Sequence, residues 1–255
     1  MPAQTITWRL GRLAATFNDL LERLEQSLDQ QRQFMAEASH ELRTPVTTAR
    51  TAATVALQQP HRDESEYRET LGIVEQQASR LSRIVEDMFT LARADAGNYP
   101  VRREDMYLDE VIGEVVRAAR VLATAREVGI ELVTPEGIAY TGDEELIRRL
   151  VVNLLDNAVR YSPPGSTVRV QVDSTPEGHT IVVQDSGPGI MPDDQAQIFE
   201  RFYRVDRSRT RRVTDAGAGL GLALARWIAR LHGGDLVLTQ SSAGGSTFTA
   251  TLPLH

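Results

Sequence analysis

The chain has 255 residues, 28 basic and 35 acidic, for a formal net charge of −7, so it lacks the cationic excess that non-specific nucleic-acid binding requires. It has no cysteine, which excludes disulfides, thiolate metal sites and thiol nucleophiles. It has no lysine either: all 28 basic residues are arginine, which removes the lysine of a P-loop, the strand-borne lysine of eukaryotic-type protein kinases and every Schiff-base mechanism.

No apolar run approaches the roughly 20 residues that span a bilayer, and no charged start followed by an apolar stretch marks a signal peptide. The chain therefore reads as a soluble piece, one that a membrane-anchored parent can carry beyond N-terminal spans missing here.

Residues 10–95 read as two long helices. Leu10, Leu13, Phe17, Leu20 and Leu24 recur at spacings of 3, 4, 3 and 4, a coiled-coil seam. The seam steps by four to Leu28, a stutter, and continues through Gln31, Met35, Ala38 and Leu42. A break is expected near Gln59-Pro60. The second helix carries Tyr67, Leu71, Val74, Ala78, Leu81, Val85, Met88 and Ala92 in the same alternation. Two such helices cannot bury both stripes alone, whereas a homodimer through residues 10–95 can, as a four-helix bundle. Pattern alone is equally compatible with a dimerisation stalk and nothing more.

Ala96-Gly97-Asn98-Tyr99-Pro100 ends the second helix, and the rest of the chain reads as α/β. The periodicities predict a helix over Asp109–Glu127, a strand over Gly129–Val133 and a helix capped by Asp143 that runs to Tyr161. A hairpin of Thr167–Asp173 with His179–Gln184 comes next, then a helix over Leu222–Leu231 and a last hairpin of Leu236–Thr239 with Ser246–Leu252. Between Gly187 and Gly221 lies a long polar segment with little expected regular structure beyond a turn near Phe199–Tyr203. A long loop in a compact domain is usually functional or mobile.

Several short strings can carry chemistry. His40 falls at heptad position f when Met35 is a and Ala38 is d, facing away from the seam. Glu41 is its neighbour and Thr44 lies one turn on. A carboxylate near Nδ1–H would fix the tautomer and leave Nε2 as the attacking lone pair, and Thr44 can orient a water. Pro45 predicts a local kink. Taken alone, a histidine such as His40 is more often a plain surface histidine. The other histidines, His61, His179, His232 and His255, have no partner at metal-ligand spacing.

Asn153 and Asn157 are four apart on one helix face; two neutral oxygens with Arg160 beside them suit Mg²⁺ shared with phosphates, or else form an ordinary polar helix end. Asp185-Ser186-Gly187-Pro188-Gly189-Ile190 comes directly after an apolar strand. Its carboxylate can accept from an exocyclic amine such as that of adenine, and its glycines admit a flat ligand. Gly217-Ala218-Gly219-Leu220-Gly221 opens a helix whose N-terminal amides can face phosphate, though neither Rossmann nor Walker A spacing is present. Arg201, Arg204, Arg207, Arg209, Arg211 and Arg212 form a cationic run, a solvated loop unless one or two of them meet a triphosphate.

Taken together and in this order, the strings resemble the kinase core of a bacterial sensor histidine kinase: Phe34–Pro45 the H box, Asn153–Tyr161 the N box, Asp185–Ile190 the G1 box, Ile198–Tyr203 the F box, Gly217–Leu222 the G2 box and Gly244–Leu252 the last hairpin. The resemblance spans about residues 30–255. It implies a partial HAMP-like signalling helix over 1–30, suggested by Gly11–Asn18. It also implies a dimerisation and histidine-phosphotransfer hairpin over 31–97 and a catalytic ATP-binding domain over 98–255.

In that reading His40 is the phosphoacceptor, Glu41 assists its deprotonation, and Thr44 positions water for phosphatase action. Asn153 and Asn157 hold Mg²⁺ with ATP, and Arg160, where the family usually has lysine, and Tyr161 lie near the phosphates. Asp185 contacts adenine, Gly187 and Gly189 shape the pocket, and Gly217, Gly219, Leu220, Gly221 and Thr247 complete the ATP site. Residues 190–216 form the lid. The implied cofactors are ATP and Mg²⁺, and the implied partner is a response regulator receiver domain, with no nucleic acid. Two other readings stay open: an ATP hydrolase of the same nucleotide fold that uses water instead of His40, and a dimeric signalling scaffold with a decayed ATP site.

Overall fold

The computed structural model describes residues 3–58, 63–95, 97, 99–205 and 217–254. The chain divides into two compact units, residues 1–82 and 83–255.

The first unit is built from α1 (Ala3–Gln58) and most of α2 (Glu64–Asp95). α1 runs as one helix through Pro45. The predicted break at Gln59-Pro60 lies outside the described residues, but Asp63 just beyond it starts α2. Its Oδ1 accepts from the Glu66 amide at 2.9 Å and the Ser65 hydroxyl at 2.7 Å. Those bonds, the Glu66 amide foremost, hold the carboxyl below its ordinary pKa. Ala38 and Ala56 are buried, while Met35, Val46, Val55 and Leu71 are exposed on the single chain. Of the Gly11–Asn18 string only Phe17 and Asn18 have described side chains, both exposed. The seam leucines 10, 13, 20 and 24 lie outside the described side chains.

The second unit is a helix-on-sheet sandwich. Its five-stranded sheet has the order β2-β4-β5-β7-β6, formed by β2 (Gly129–Val133), β4 (Thr167–Thr175), β5 (Gly178–Gln184), β6 (Leu236–Ser242) and β7 (Gly245–Pro253). Among the described residues only β2 and β4 pair in parallel; the intervening chain includes α4 (Glu144–Tyr161). A register shift between Leu238 and Gln240 interrupts the β6–β7 ladder. A separate two-stranded sheet pairs β1 (Glu104–Tyr107) with β3 (Ala139–Gly142).

Strict alternation buries Val168, Val170 and Val172 on β4, His179, Ile181 and Val183 on β5, and Phe248, Ala250 and Leu252 on β7. The helices supply the facing stripe. α3 (Leu108–Thr124) buries Leu108, Val111, Ile112, Val115 and Val116, and α4 buries Leu146, Ile147, Leu150, Val151, Leu154 and Leu155. α6 (Gly221–Leu231) buries Ala223, Leu224, Ala225, Ile228 and Ala229. Each fully buried Leu or Ile contributes about 1.5–3 kcal/mol of transfer free energy. α5 (Pro192–Gln195) is a single turn.

Asp143 caps α4 as predicted, its side chain accepting from the Leu146 amide at 3.1 Å. The Asp143 amide in turn donates to His232 Nε2 at 3.1 Å, while His232 Nδ1 lies 2.8 Å from the Ile228 carbonyl. His232 is thus a buried neutral strut between the start of α4 and the end of α6. Several boundaries differ from the sequence reading. α3 stops at Thr124, where Glu127 adopts a left-handed φ of 58° before β2. The strands of both hairpins extend one to three residues further than their apolar cores, because ladder hydrogen bonding continues past the last buried side chain.

Candidate functional site

In the first unit His40 lies on α1 with its side chain 59% exposed, and Glu41 beside it is buried. Glu41 Oε1 lies 4.0 Å from His40 Nδ1. Adjacent helical residues point about 100° apart, so an exposed imidazole can neighbour an inward carboxylate. Glu41 Oε2 lies 3.8 Å from Arg80 Nη2 on α2. Thr44 Oγ1 donates to the His40 carbonyl at 3.3 Å, so this threonine is turned back onto the helix. Thr48 repeats the pattern against Thr44 at 3.1 Å.

In the second unit the remaining motifs meet. Asp185 at the end of β5 is 6% exposed. Its Oδ1 accepts from the Gly187 amide at 2.7 Å and from the Ser246 amide at 3.1 Å. Burial raises its pKa against the lowering effect of these two amides. With one oxygen oriented by backbone, the carboxylate can present the other to a ligand amine.

Gly189 adopts φ of +73°, and a Cβ there would fall on the Ser242 carbonyl, so the turn must be glycine. A Cβ at Gly187 would lie 3.0 Å from the Tyr161 carbonyl, which joins the G1-like loop to the end of α4. Thr247 sits on β7 opposite Gln184, the residue before Asp185.

Asn153, half-buried on α4, lies against the start of α6: a Cβ on Gly221 would be 3.2 Å from its Oδ1. Its Nδ2 is buried and has no hydrogen-bond partner among the described residues. Asn157 stands one turn later, also half-buried. Arg160, further along, abuts Gly217: its Nη1 occupies the space a Cβ there would take. Desolvation lowers the Arg160 pKa from its ordinary value, with Asp156 opposing that shift. Leu220 is fully buried, its side chain in the core and its carbonyl accepting from Leu224, so its side chain anchors the loop.

Gly219, with φ of +76°, lies flat against the Phe202–Tyr203 backbone, and the Phe202 amide donates to its carbonyl at 2.9 Å. Phe202 is itself left-handed at φ 60°. Tyr203 donates its hydroxyl to Asp194 at 2.6 Å, which pushes its pKa up to about 12. These contacts bring Phe202 and Tyr203, within the candidate lid, onto the glycine loop.

Of the cationic run, Arg201 forks onto Asp95 with two bonds of 2.6 Å. Arg207, Arg209, Arg211 and Arg212 lie outside the described residues. Among the described residues no cluster of acidic, histidine or cysteine side chains could hold a metal, and no helix is long and apolar enough to cross a membrane.

A nucleotide fits the groups present. An orphaned buried amide, a side-chain-free glycine approach beside a desolvated arginine, and a buried carboxylate with one oxygen oriented suit an adenine and phosphates. Ser246 escapes the sequence reading. Its contribution is a backbone amide, which residue type does not advertise.

A family model of the His Kinase A (phospho-acceptor) domain matches residues 30–97. One of the histidine kinase-, DNA gyrase B-, and HSP90-like ATPases matches residues 142–255. Sensor histidine kinase CusS of Escherichia coli (strain K12) is 34% identical over 250 residues, 98% of this chain and 51% of its own length. The signal transduction histidine-protein kinase/phosphatase MprB of Mycolicibacterium smegmatis is 36% identical over 243 residues, 93% of this chain and 48% of its own. The chain thus spans about half the length of the curated relatives it matches.

Histidine kinase ThkA, solved in complex with response regulator protein TrrA, superposes with a TM-score of 0.70 at 20% identity, covering 91% of this chain and 64% of that one, a likeness of fold. With a phosphoacceptor helical hairpin followed by an α/β-sandwich ATPase domain, the chain has the domain make-up of a bacterial histidine kinase cytoplasmic core.

Proposed function

We propose that the protein phosphorylates itself on His40 with the γ-phosphate of ATP and then passes the phosphoryl group to an aspartate of a response regulator receiver domain. The observation that carries this reading is the exposed His40 imidazole with the Glu41 carboxylate 4.0 Å from Nδ1. A carboxylate on that side favours the tautomer with Nδ1 protonated and leaves the Nε2 lone pair free.

In the reaction, Nε2 forms a bond to the γ-phosphorus as the bond to the β–γ bridging oxygen breaks. ADP leaves with the electron pair, and Glu41 takes the Nδ1 proton from the imidazolium. Asp185 orients the adenine through its second carboxylate oxygen. Asn153 and Asn157 are the residues that would hold Mg²⁺, which supplies charge neutralisation on the phosphates. Arg160 adds a cation at the glycine loop, with a planar fork instead of an ammonium point charge.

Thr44 serves a second activity, dephosphorylation of the regulator, by placing a water once its hydroxyl turns from the His40 carbonyl; the kinase/phosphatase MprB supports this by likeness. The protein works as a homodimer through residues 10–95, since Met35, Val46, Val55 and Leu71 stand exposed on one chain. The N-terminal segment 1–30 acts as a HAMP-like relay, residues 31–97 as the phosphotransfer hairpin and 98–255 as the ATP-binding domain of a membrane-anchored parent.

Incubation with magnesium and γ-labelled ATP tests the reading. Acid-labile, alkali-stable label is expected on the wild type and none on His40→Gln. Equal labelling of both, or ATP consumption without protein label, overturns it in favour of a plain ATP hydrolase.

A further inference from the structure

We infer that Arg80 is a positioning residue for the phosphoacceptor histidine: it holds the Glu41 carboxylate so that its other oxygen faces His40 Nδ1. This role presupposes phosphotransfer through His40 and falls to a side chain on the second helix of the hairpin.

The two carboxylate oxygens of Glu41 look in different directions. Oε1 faces His40 Nδ1 at 4.0 Å and Oε2 faces Arg80 Nη2 at 3.8 Å. Glu41 and Arg80 side chains are 9% and 21% exposed, whereas His40 is 59% exposed. Burying a carboxylate is costly unless a cation accompanies it, and here that cation comes from the facing helix.

A glutamate tethered only by its own flexible stem would sample rotamers that swing its carboxylate away from the imidazole. A guanidinium on the far oxygen restricts those rotamers and leaves the near oxygen aimed at the nitrogen whose proton must be removed. Because Glu41 is on α1 and Arg80 on α2, the alignment depends on the relative rotation of the two helices. Any movement that withdraws Arg80 would slow His40 without touching the nucleotide.

The test is steady-state autophosphorylation of the full chain in wild type, Arg80→Gln, Arg80→Lys, Glu41→Gln and the double variant, together with ¹⁵N NMR of the His40 ring in ligand-free protein. Arg80→Gln should lower kcat about tenfold, a fraction of a full general-base contribution, with KM for ATP within about twofold of wild type. Arg80→Lys should recover most of the rate, the double variant should be no slower than Glu41→Gln alone, and Arg80→Gln should reduce the Nδ1–H tautomer fraction of His40.

An unchanged kcat, a loss confined to KM, additive effects in the double variant, or an unchanged tautomer overturns the inference. Should Arg80→Gln lose its helical signal, the decision passes to Arg80→Lys: a rate within about threefold of wild type supports the role, and a slower one overturns it. If instead wild type and His40→Gln label alike, the phosphotransfer reading has failed; the tautomer measurement, which needs no ATP, still judges Arg80 separately.

Discussion

The Ser246 amide on β7 donates to Asp185 Oδ1 at 3.1 Å, alongside the Gly187 amide at 2.7 Å on the same oxygen. Asparagine keeps that oxygen and loses only the charge. Folding raises the Asp185 pKa through burial, so its protonation adds stability that is fully present below the ordinary carboxylate value and lost as pH rises through the raised one. At neutral pH the buried charge is a net cost. Asp185→Asn is therefore expected to raise the Tm of ligand-free protein by about 2–4 °C, as for about 1 kcal/mol in a domain of this size, while lowering ATP affinity at least about tenfold. Thermal scans and calorimetric titration check both signs; a destabilised variant with intact affinity would contradict the assignment.

Gly219 and Phe202 make the second dependence. A Cβ on Gly219 would lie 2.7 Å from the Phe202 carbonyl carbon, and φ of +76° disfavours any L side chain. Gly219→Ala should cost roughly 1–3 kcal/mol and displace the Phe202–Tyr203 backbone. ATP binding should weaken, and proteolysis should accelerate within residues 190–205 while β4 and β5 stay protected. Gly244→Ala is the control, since only the Ser242 hydroxyl, at 3.7 Å, lies near its added Cβ.

Legibility in the sequence tracks range along the chain. α3, α4 and α6 each bury a stripe at helical spacing, so their existence is readable from the pattern alone. The sheet β1–β3 is not: four residues that bury only Met106 on one side and chiefly Tyr140 on the other give too few alternations to establish a period. The site motifs are legible because each is local. The bonds that hold them are not: Arg201 finds Asp95 across 106 positions, and the Asp143 amide finds His232 across 89. Glu41 reads as a helper of His40; that Arg80 meets its other oxygen is visible only once the hairpin is folded.

Asp235 gives a pH-dependent prediction. Arg226 first, then Arg230, hold its carboxylate well below the ordinary range, Arg226 by bonds of 2.9 and 3.1 Å. The stabilisation exists above the ordinary carboxylate pKa and is lost as pH falls through the lowered one. With the side chain about a third exposed, solvent screening limits it to about 1 kcal/mol. Asp235→Asn should lower stability by that amount at pH 7 and by progressively less under acid. Parallel urea titrations at pH 7 and below pH 3 should therefore converge, and a constant gap would assign the loss to the Leu236 amide bond instead.

Arg149 bonds Asp87 at 2.7 Å and the Thr90 hydroxyl at 3.0 Å, both on the last turns of α2. Burial raises the Asp87 pKa even with the guanidinium and its hydrogen bond opposing it. Removing Arg149 leaves a buried carboxylate without its main cation, which costs more than the pair contributes. Arg149→Gln should lose about 2 kcal/mol at pH 7, reduced from the fully buried figure because both side chains keep some exposure. The deficit should shrink as pH falls and Asp87 takes a proton, because the raised folded-state pKa then favours the native state. Adding Asp87→Asn should return most of the stability at pH 7. If the double variant is as unstable as Arg149→Gln, the loss comes from packing of the arginine stem against α2 and not from the orphaned charge.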